Sequence, residues 1–244
     1  MLTALQAVVF DLDDTLYPER EYVLSGFRQV ARWCGQTVGA SHDGVFEELR
    51  SLFEAGIRGD TFDRLCEHRG WNARDLVPAM IEVYRGHQPS IRSFPEAPGL
   101  LAELAARFPL GLLTDGRARE QRRKLAALGL RGAFRAAVFT EELGGGSAKP
   151  SAVGLLTVAA RLGVSPGAAV YVGDNPCKDF LAARRAGMRA VRVRYPEGLY
   201  ANVEPESLEA EPDWELVSLK QLNALISMQL LRGVRSGGPT AHGP

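Results

Sequence analysis

Hydrophobic positions along the chain change their spacing twice. Residues 5–11 (LQAVVFD) form a short apolar run that stops at an acidic cluster, Asp11-Leu12-Asp13-Asp14-Thr15. That pattern predicts a buried strand with polar groups at its carboxyl end. From Tyr17 to Ser93 the apolar residues recur at helical spacing: Val23, Phe27, Val30 and Ala31, then Val45, Phe46, Leu49, Leu52 and Phe53, then Phe62, Leu65 and Cys66, then Leu76, Met80, Val83 and Tyr84. Gly35, Gly56, Gly59, Gly70 and Pro89 punctuate these runs, which predicts a bundle of about four helices without strands.

Strand and helix then alternate. Leu100, Leu101, Leu104, Ala105 and Phe108 trace one helix face, and 110–114 (LGLLT) is a strand. A helix over 117–128 is closed by Gly129, and 136–140 (AAVFT) is a strand. Pro150 opens a helix that Gly163 closes, the usual asymmetry of proline inside the start and glycine past the end. The strand 168–174 (AAVYVGD), a helix to Gly187, the strand 189–193 (RAVRV) and an amphipathic helix over 218–231 follow, and 233–244 reads as a disordered tail.

Strands separated by helices predict an α/β fold: a doubly wound, mostly parallel, Rossmann-like sheet covered on both faces. The helical bundle is inserted as a cap domain over 17–93, and the core comprises 1–16 and 94–232. In such sheets ligands bind beyond the carboxyl ends of the strands, near the point where strand order reverses.

Composition narrows the function. Lys+Arg and Asp+Glu are both 29, so the net charge is zero, which argues against nucleic-acid or polybasic membrane binding. No apolar run reaches the ~18–20 residues of a membrane helix, and Asp11 arrives too early for a signal peptide. The three cysteines (Cys34, Cys66, Cys177) are scattered, which predicts no disulfide framework and fits the cytoplasm. The four histidines form no zinc pattern. Only four of the basic residues are lysine: Lys124, Lys149, Lys178 and Lys220.

Four polar features fall at strand ends: Asp11-x-Asp13-x-Thr15, Thr114-Asp115-Gly116, Lys149-Pro150 behind Gly144-Gly145-Gly146, and Gly173-Asp174 with Asp179 five residues on. The loop before Pro150 is not a phosphate-binding Walker sequence, because Ala148 precedes the lysine and Pro150 follows it. Together, in this order, the four features resemble the motifs of the haloacid dehalogenase superfamily. The insert at 17–93 resembles the helical cap that one branch of the superfamily places between its first two motifs.

The resemblance implies roles. Asp11 is the expected nucleophile, forming an aspartyl-phosphate. Asp13 is the expected general acid and base, and like-charge repulsion in the acidic cluster is expected to raise its pKa. Thr114, the Asp115 backbone and Lys149 would bind the phosphoryl oxygens. Mg²⁺ would be held by the Asp11 and Asp174 side chains and the Asp13 carbonyl, with Asp179 supporting a metal water or orienting Lys149. Asp115 departs from the Asn or Ser of many relatives, and a carboxylate cannot donate, so its backbone N–H is the expected contact. Asp13 also favours phosphoryl transfer over dehalogenation, since a halide needs no acid.

Tyr17, Arg20 and Arg117, with Tyr22 and Arg58, are candidates for reading the substrate's organic part. Cys177, between Asp174 and Asp179, reads as a small loop residue. The expected activity is hydrolysis of a small phosphorylated metabolite: a sugar phosphate, a sugar-acid phosphate or a nucleoside monophosphate. A phosphomutase using the same intermediate and a silent metabolite-binding protein are the alternatives. A monomer or homodimer without nucleic-acid or membrane partners is expected.

Overall fold

The computed structural model describes residues 4–230; the expected tail at 233–244 lies outside them. Six strands form one parallel sheet: β1 (Ala7–Phe10), β2 (Leu110–Thr114), β3 (Ala136–Phe139), β4 (Ala169–Gly173), β5 (Arg189–Val193) and β6 (Trp214–Leu216). Their order is β3-β2-β1-β4-β5-β6. The first strand is thus central, and the order reverses at it. Phe10 is in register with Leu112 of β2 and with Val172 of β4. The loop after β1 therefore emerges between the ends of its two neighbours, where a doubly wound sheet leaves a crevice.

Side chains alternate across the sheet, as a two-residue period requires. Val8, Phe10, Leu112, Val170, Val172 and Val191 join the apolar layer on one face. Ala7, Val9, Leu113, Tyr171 and Ala190 join the other. Helices α5 (Ala97–Ala105), α6 (Ala118–Ala127), α7 (Val153–Leu162) and α8 (Asp179–Ala186) connect the core strands. On the second face the helices approach closely: a Cβ at Gly111 of β2 would lie 2.5 Å from Val158 Cγ1 of α7.

Between β1 and α5 stand four helices: α1 (Glu19–Val38), α2 (His42–Glu54), α3 (Thr61–Arg69) and α4 (Ala73–Gly86). They close on a core of their own that includes Phe27, Val30, Leu49, Phe53, Leu65 and Met80. The Ser41 hydroxyl caps α2 and the Asn72 side chain caps α4, each accepting from an otherwise unpaired first-turn N–H. Gly35 lies inside α1, and it is Gly39, at φ 67°, that ends that helix. The return to the core is tied to α1: Ser90 N–H donates to Ser25 Oγ at 2.9 Å, and Arg92 N–H to Glu21 Oε2 at 2.7 Å.

Three expectations change. β6 is not expected from the sequence, because three residues, Trp214-Glu215-Leu216, are too few to show a period; the pairing comes from β5. Pro150 does not open α7: Ser151 N–H closes a turn on the Ala148 carbonyl, and the helix begins at Val153. The expected helix at 218–231 is a 3₁₀ turn, Leu219–Gln221, a short α9, Leu222–Leu225, and a π turn, Ile226–Leu230. Among the described residues no helix is long and apolar enough to cross a membrane.

The tight β2–α7 contact is testable. Gly111→Ala should cost about 1–3 kcal/mol through overpacking against Val158 and Leu162. A urea midpoint equal to that of the parent would refute the packing argument.

Candidate active site

The loop after β1 is held open by its own carboxylates. Asp14 adopts φ 50°, a left-handed conformation that Asp tolerates better than most residues. Its Oδ1 accepts from Glu19 N–H at 2.7 Å and its Oδ2 from Leu199 N–H at 2.8 Å. The loop is thereby fastened to the start of α1 and to the segment after β5. Asp11 N–H continues the sheet pairing, donating to Val172 O at 2.8 Å.

Lys149 is the centre of the charge arrangement. Its Nζ lies 2.6 Å from Asp11 Oδ1, 2.8 Å from Asp179 Oδ1 and 2.8 Å from the Tyr171 hydroxyl. The lysine side chain is 1% exposed and that of Asp179 0%. Burial opposes the lysine charge, but Asp11 and Asp179 outweigh it and hold the ammonium protonated well above its usual range. Asp179 Oδ2 also accepts from Asn175 N–H at 3.0 Å. Gly173 leaves room for this: a Cβ there would stand 2.4 Å from Asp179 Oδ2.

One carboxylate oxygen from each of Asp11, Asp174 and Asp179 lies within 4.8 Å of the others. Burial pushes Asp11 up to about 7 despite the pull of Lys149. Burial, then Asp179 and Asp11, push Asp174 well above the usual carboxylate range. Asp174 forms no ion pair with any described residue, because the site lysines face other carboxylates. A buried, all-oxygen set of three carboxylates with a single lysine between two of them keeps an anionic excess, which fits a hard divalent cation such as Mg²⁺. Asp174 and the second carboxylate oxygen of Asp11 are free to hold it, whereas both oxygens of Asp179 are engaged, one by Lys149 and the other by Asn175 N–H.

Thr114 ends β2, buried, with its hydroxyl accepting from Gln121 Nε2. The neighbouring Asp115 side chain has a definite task. It accepts from Thr140 Oγ1 at 3.0 Å, Lys149 N–H at 3.2 Å and Lys178 Nζ at 3.0 Å. Burial opposes its ionisation, but Lys149 and Lys178 hold it below the usual carboxylate range. It thus laces together the loops after β2, β3 and β4.

Asp13 faces away from the three-carboxylate cluster. Its Oδ1 accepts from Tyr17 OH and from Lys124 Nζ, the latter at 2.7 Å, and its Oδ2 accepts from Gln121 Nε2 at 2.7 Å. Burial would raise its pKa, but the Lys124 charge and these hydrogen bonds outweigh burial and lower it. The expected upward shift from like-charge repulsion is therefore reversed, because Asp13 has a cation of its own.

The sequence profile of the haloacid dehalogenase-like hydrolases matches residues 5–187. The chain belongs to the haloacid dehalogenase-like hydrolase family. It is 34% identical over 226 residues to the glyceraldehyde 3-phosphate phosphatase of Methanopyrus kandleri, covering 89% of this chain and 95% of that one. It is 34% identical over 202 residues to the phosphoserine phosphatase of Thermus thermophilus, covering 82% and 70%. The magnesium-bound HAD-hydrolase YfnB of Bacillus subtilis shares the fold, with a TM-score of 0.70 at 20% identity over 93% of this chain and 100% of that one.

In this family member the first-named specificity candidates do not face the cavity lined by Asp11, Asp13, Thr114 and Asp174. Tyr17 is fully buried and spends its hydroxyl on Asp13. Arg20 pairs with Glu54 at 2.5 Å on the insert surface. Arg117 is half-exposed, 3.9 Å from Glu120. Arg58 stacks 3.8 Å from the Phe53 ring in a separate cavity of about 240 Å³ inside the insert. Cys177 is exposed, with its N–H on Asn175 Oδ1. Tyr22 does line the cavity over Asp11 and Asp174, which measures about 410 Å³.

Among the cavity-wall residues missed from sequence are Gln121, Lys124, Lys178, Glu19, Tyr84 and Tyr200. A usable signal existed for two of them: Lys124 and Lys178 belong to a set of only four lysines.

Removing the central cation leaves two buried carboxylates without their shared partner. Lys149→Met should lose about 3–5 kcal/mol of folding stability, read by chemical denaturation; an unchanged stability would contradict this charge balance.

Proposed function

We propose that this hydrolase is a Mg²⁺-dependent phosphatase of small phosphorylated metabolites that works through an aspartyl-phosphate at Asp11, with residues 17–93 acting as a cap. As an enzyme it is a phosphoric monoester hydrolase. The observation that carries the reading is the convergence of Asp11, Asp174 and Asp179 on one point, with Lys149 alongside.

An Asp11 oxygen attacks phosphorus while the bond from phosphorus to the alcohol oxygen breaks. Asp13, once protonated, gives its proton to the departing alkoxide. Water then attacks the phosphorus of the aspartyl-phosphate and passes a proton to Asp13. The P–O bond to Asp11 breaks, which releases phosphate and restores the carboxylate. Thr114 Oγ1, the Asp115 N–H and the Lys149 ammonium hold the phosphoryl oxygens, and charge stabilisation of this kind is commonly the largest catalytic term. Mg²⁺, held by Asp11, the Asp13 carbonyl and Asp174, supplies counter-charge to the phosphoryl group when bound.

The cavity supports a small substrate. At about 410 Å³ it accommodates phosphate and a short alcohol, and the relatives named above act, by their names, on three-carbon phosphates. Tyr22 and Tyr84 from the insert and Tyr200 from the core wall the alcohol side. By the substrates of those relatives, a short-chain sugar or sugar-acid phosphate is the class we propose ahead of a nucleotide.

Asp11→Asn should lower phosphate release from p-nitrophenyl phosphate by at least about 10³-fold with an unchanged circular dichroism spectrum. Chelation by EDTA should abolish the wild-type rate, and added Mg²⁺ should restore it. Turnover that persists in the Asn variant removes the covalent mechanism, and turnover indifferent to EDTA removes the metal.

A further inference from the structure

We infer that Gln121 and Lys124, one turn apart on α6, are positioning residues that aim two groups of the site at once: the Asp13 carboxylate and the Thr114 hydroxyl. The inference rests on the functional reading above, which uses both groups but assigns nothing to α6.

Residues three apart share a helix face, so Gln121 and Lys124 point together from α6 toward the loop after β1. The helix itself is pinned at both sides. Ala118 N–H donates to Glu141 Oε2 at 2.8 Å, and Arg123 Nη1 reaches the Gly86 carbonyl at the end of α4 at 2.7 Å.

The Gln121 amide has two N–H donors on one nitrogen. That nitrogen donates to Asp13 Oδ2 and to Thr114 Oγ1. Its orientation is dictated, because the opposite flip would set the amide oxygen against a carboxylate. Thr114 Oγ1, by accepting, must direct its own proton elsewhere. The described acceptor for that proton is the Asp115 carbonyl at 3.4 Å, a distance near the limit for a hydroxyl donor. The proton thus remains available to a phosphoryl oxygen.

Lys124 completes the arrangement. Its side chain is 7% exposed, with Nζ 2.7 Å from Asp13 Oδ1 and 4.1 Å from the centre of the Tyr22 ring. An ammonium over an aromatic face is stabilised by the ring quadrupole, so Lys124 sits between α1 of the insert and the core loop. With Tyr17, this places three donors on the two oxygens of Asp13 and leaves the carboxylate one orientation. A helix that merely braced a loop could do so with apolar contacts. Two buried polar side chains that end on the proposed acid–base group and the proposed phosphoryl donor do more.

The test uses leaving groups. p-Nitrophenolate departs without a proton, whereas the alkoxide of glycerol 3-phosphate needs one from Asp13. In Lys124→Met, kcat/KM for glycerol 3-phosphate should fall by about 10²-fold or more, the lower end of what general acid catalysis contributes, while that for p-nitrophenyl phosphate falls by less than about 10-fold. In Gln121→Leu both esters should lose, the alkyl ester more, because Thr114 is also released. Lys124→Cys treated with 2-bromoethylamine in a Cys177→Ser background restores an ammonium at nearly the same reach and should recover the alkyl ester rate. That variant also serves if Lys124→Met fails to fold. Equal losses on both esters, no loss, or no recovery on aminoethylation would overturn the inference. Failure of the functional reading looks different: Asp11→Asn would then retain turnover whatever α6 does.

Discussion

The Lys149 ammonium, enclosed between Asp11 and Asp179, is the interaction that the rest of the site depends on. A parallel sheet with a central first strand delivers the loops after β1, β2 and β4 to one crevice, and in this chain those loops carry carboxylates. Buried like charges repel strongly in a poorly screened medium, so the strand ends could not stay together unaided. A single buried cation lets Asp11 and Asp179 coexist, while Tyr171 takes a further hydrogen bond from the same ammonium. The cost of desolvating Lys149 is offset only because two carboxylates share it. That sharing is also why compensation is incomplete. Asp174, in the same cluster, receives no ion pair from a described residue, and the anionic excess that remains is what suits the site to a divalent ion.

Basic residues divide their labour accordingly. Three of the four lysines reach the site, each bound to a carboxylate from a different stretch: Lys149 to Asp11 and Asp179, Lys124 to Asp13, Lys178 to Asp115. A compact ammonium can turn among several acceptors in a crowded volume, whereas a guanidinium imposes a flat fork. Two of the arginines serve instead where carbonyls converge. Arg192 donates to Tyr200 O and Val203 O, and Arg184 to Glu209 O and Glu211 O. The first of these holds the segment that carries Tyr200 and Leu199, so the cavity wall and the Asp14 tie both rest on it.

Much of this was legible in the residue pattern, and the parts that were not share a cause. The five longer strands stand out because each is a short apolar run, and Asp11, Thr114, Lys149 and Asp174 stand out because each follows such a run. Local pattern suffices there. β6 has no such pattern, since Trp214–Leu216 becomes a strand only by pairing with β5. The partnership of Lys124 with Asp13 spans 111 positions, and nothing within α6 distinguishes its lysine from a solvent-facing one. Arg20 and Arg117 failed as cavity residues for the converse reason. Each has a local acid, Glu54 in the insert and Glu120 on its own helix, and turns toward it.

Two carboxylates two residues apart end in opposite electrostatic states, and the difference follows from how cations are apportioned. Asp11 is buried and shares Lys149 with Asp179, so desolvation wins and its carboxyl is pushed up to about 7. Asp13 is also buried, but it has Lys124 to itself, along with the Tyr17 and Gln121 donors, and its pKa falls. Divergent environments for paired acids are how one site separates their tasks. A nucleophile must be ionised when it attacks, and Asp11 in this arrangement resists ionising. In the mechanism proposed above, a divalent cation held by Asp11 and Asp174 would supply the favourable charge that Asp11 lacks. Asp13 needs no such help to remain a carboxylate, because the Lys124 charge and the Tyr17 and Gln121 donors already favour that form. In the proposed mechanism this state suits Asp13 to accept the proton of the attacking water, and the three donors that fix its carboxylate also fix the direction from which a proton can be exchanged.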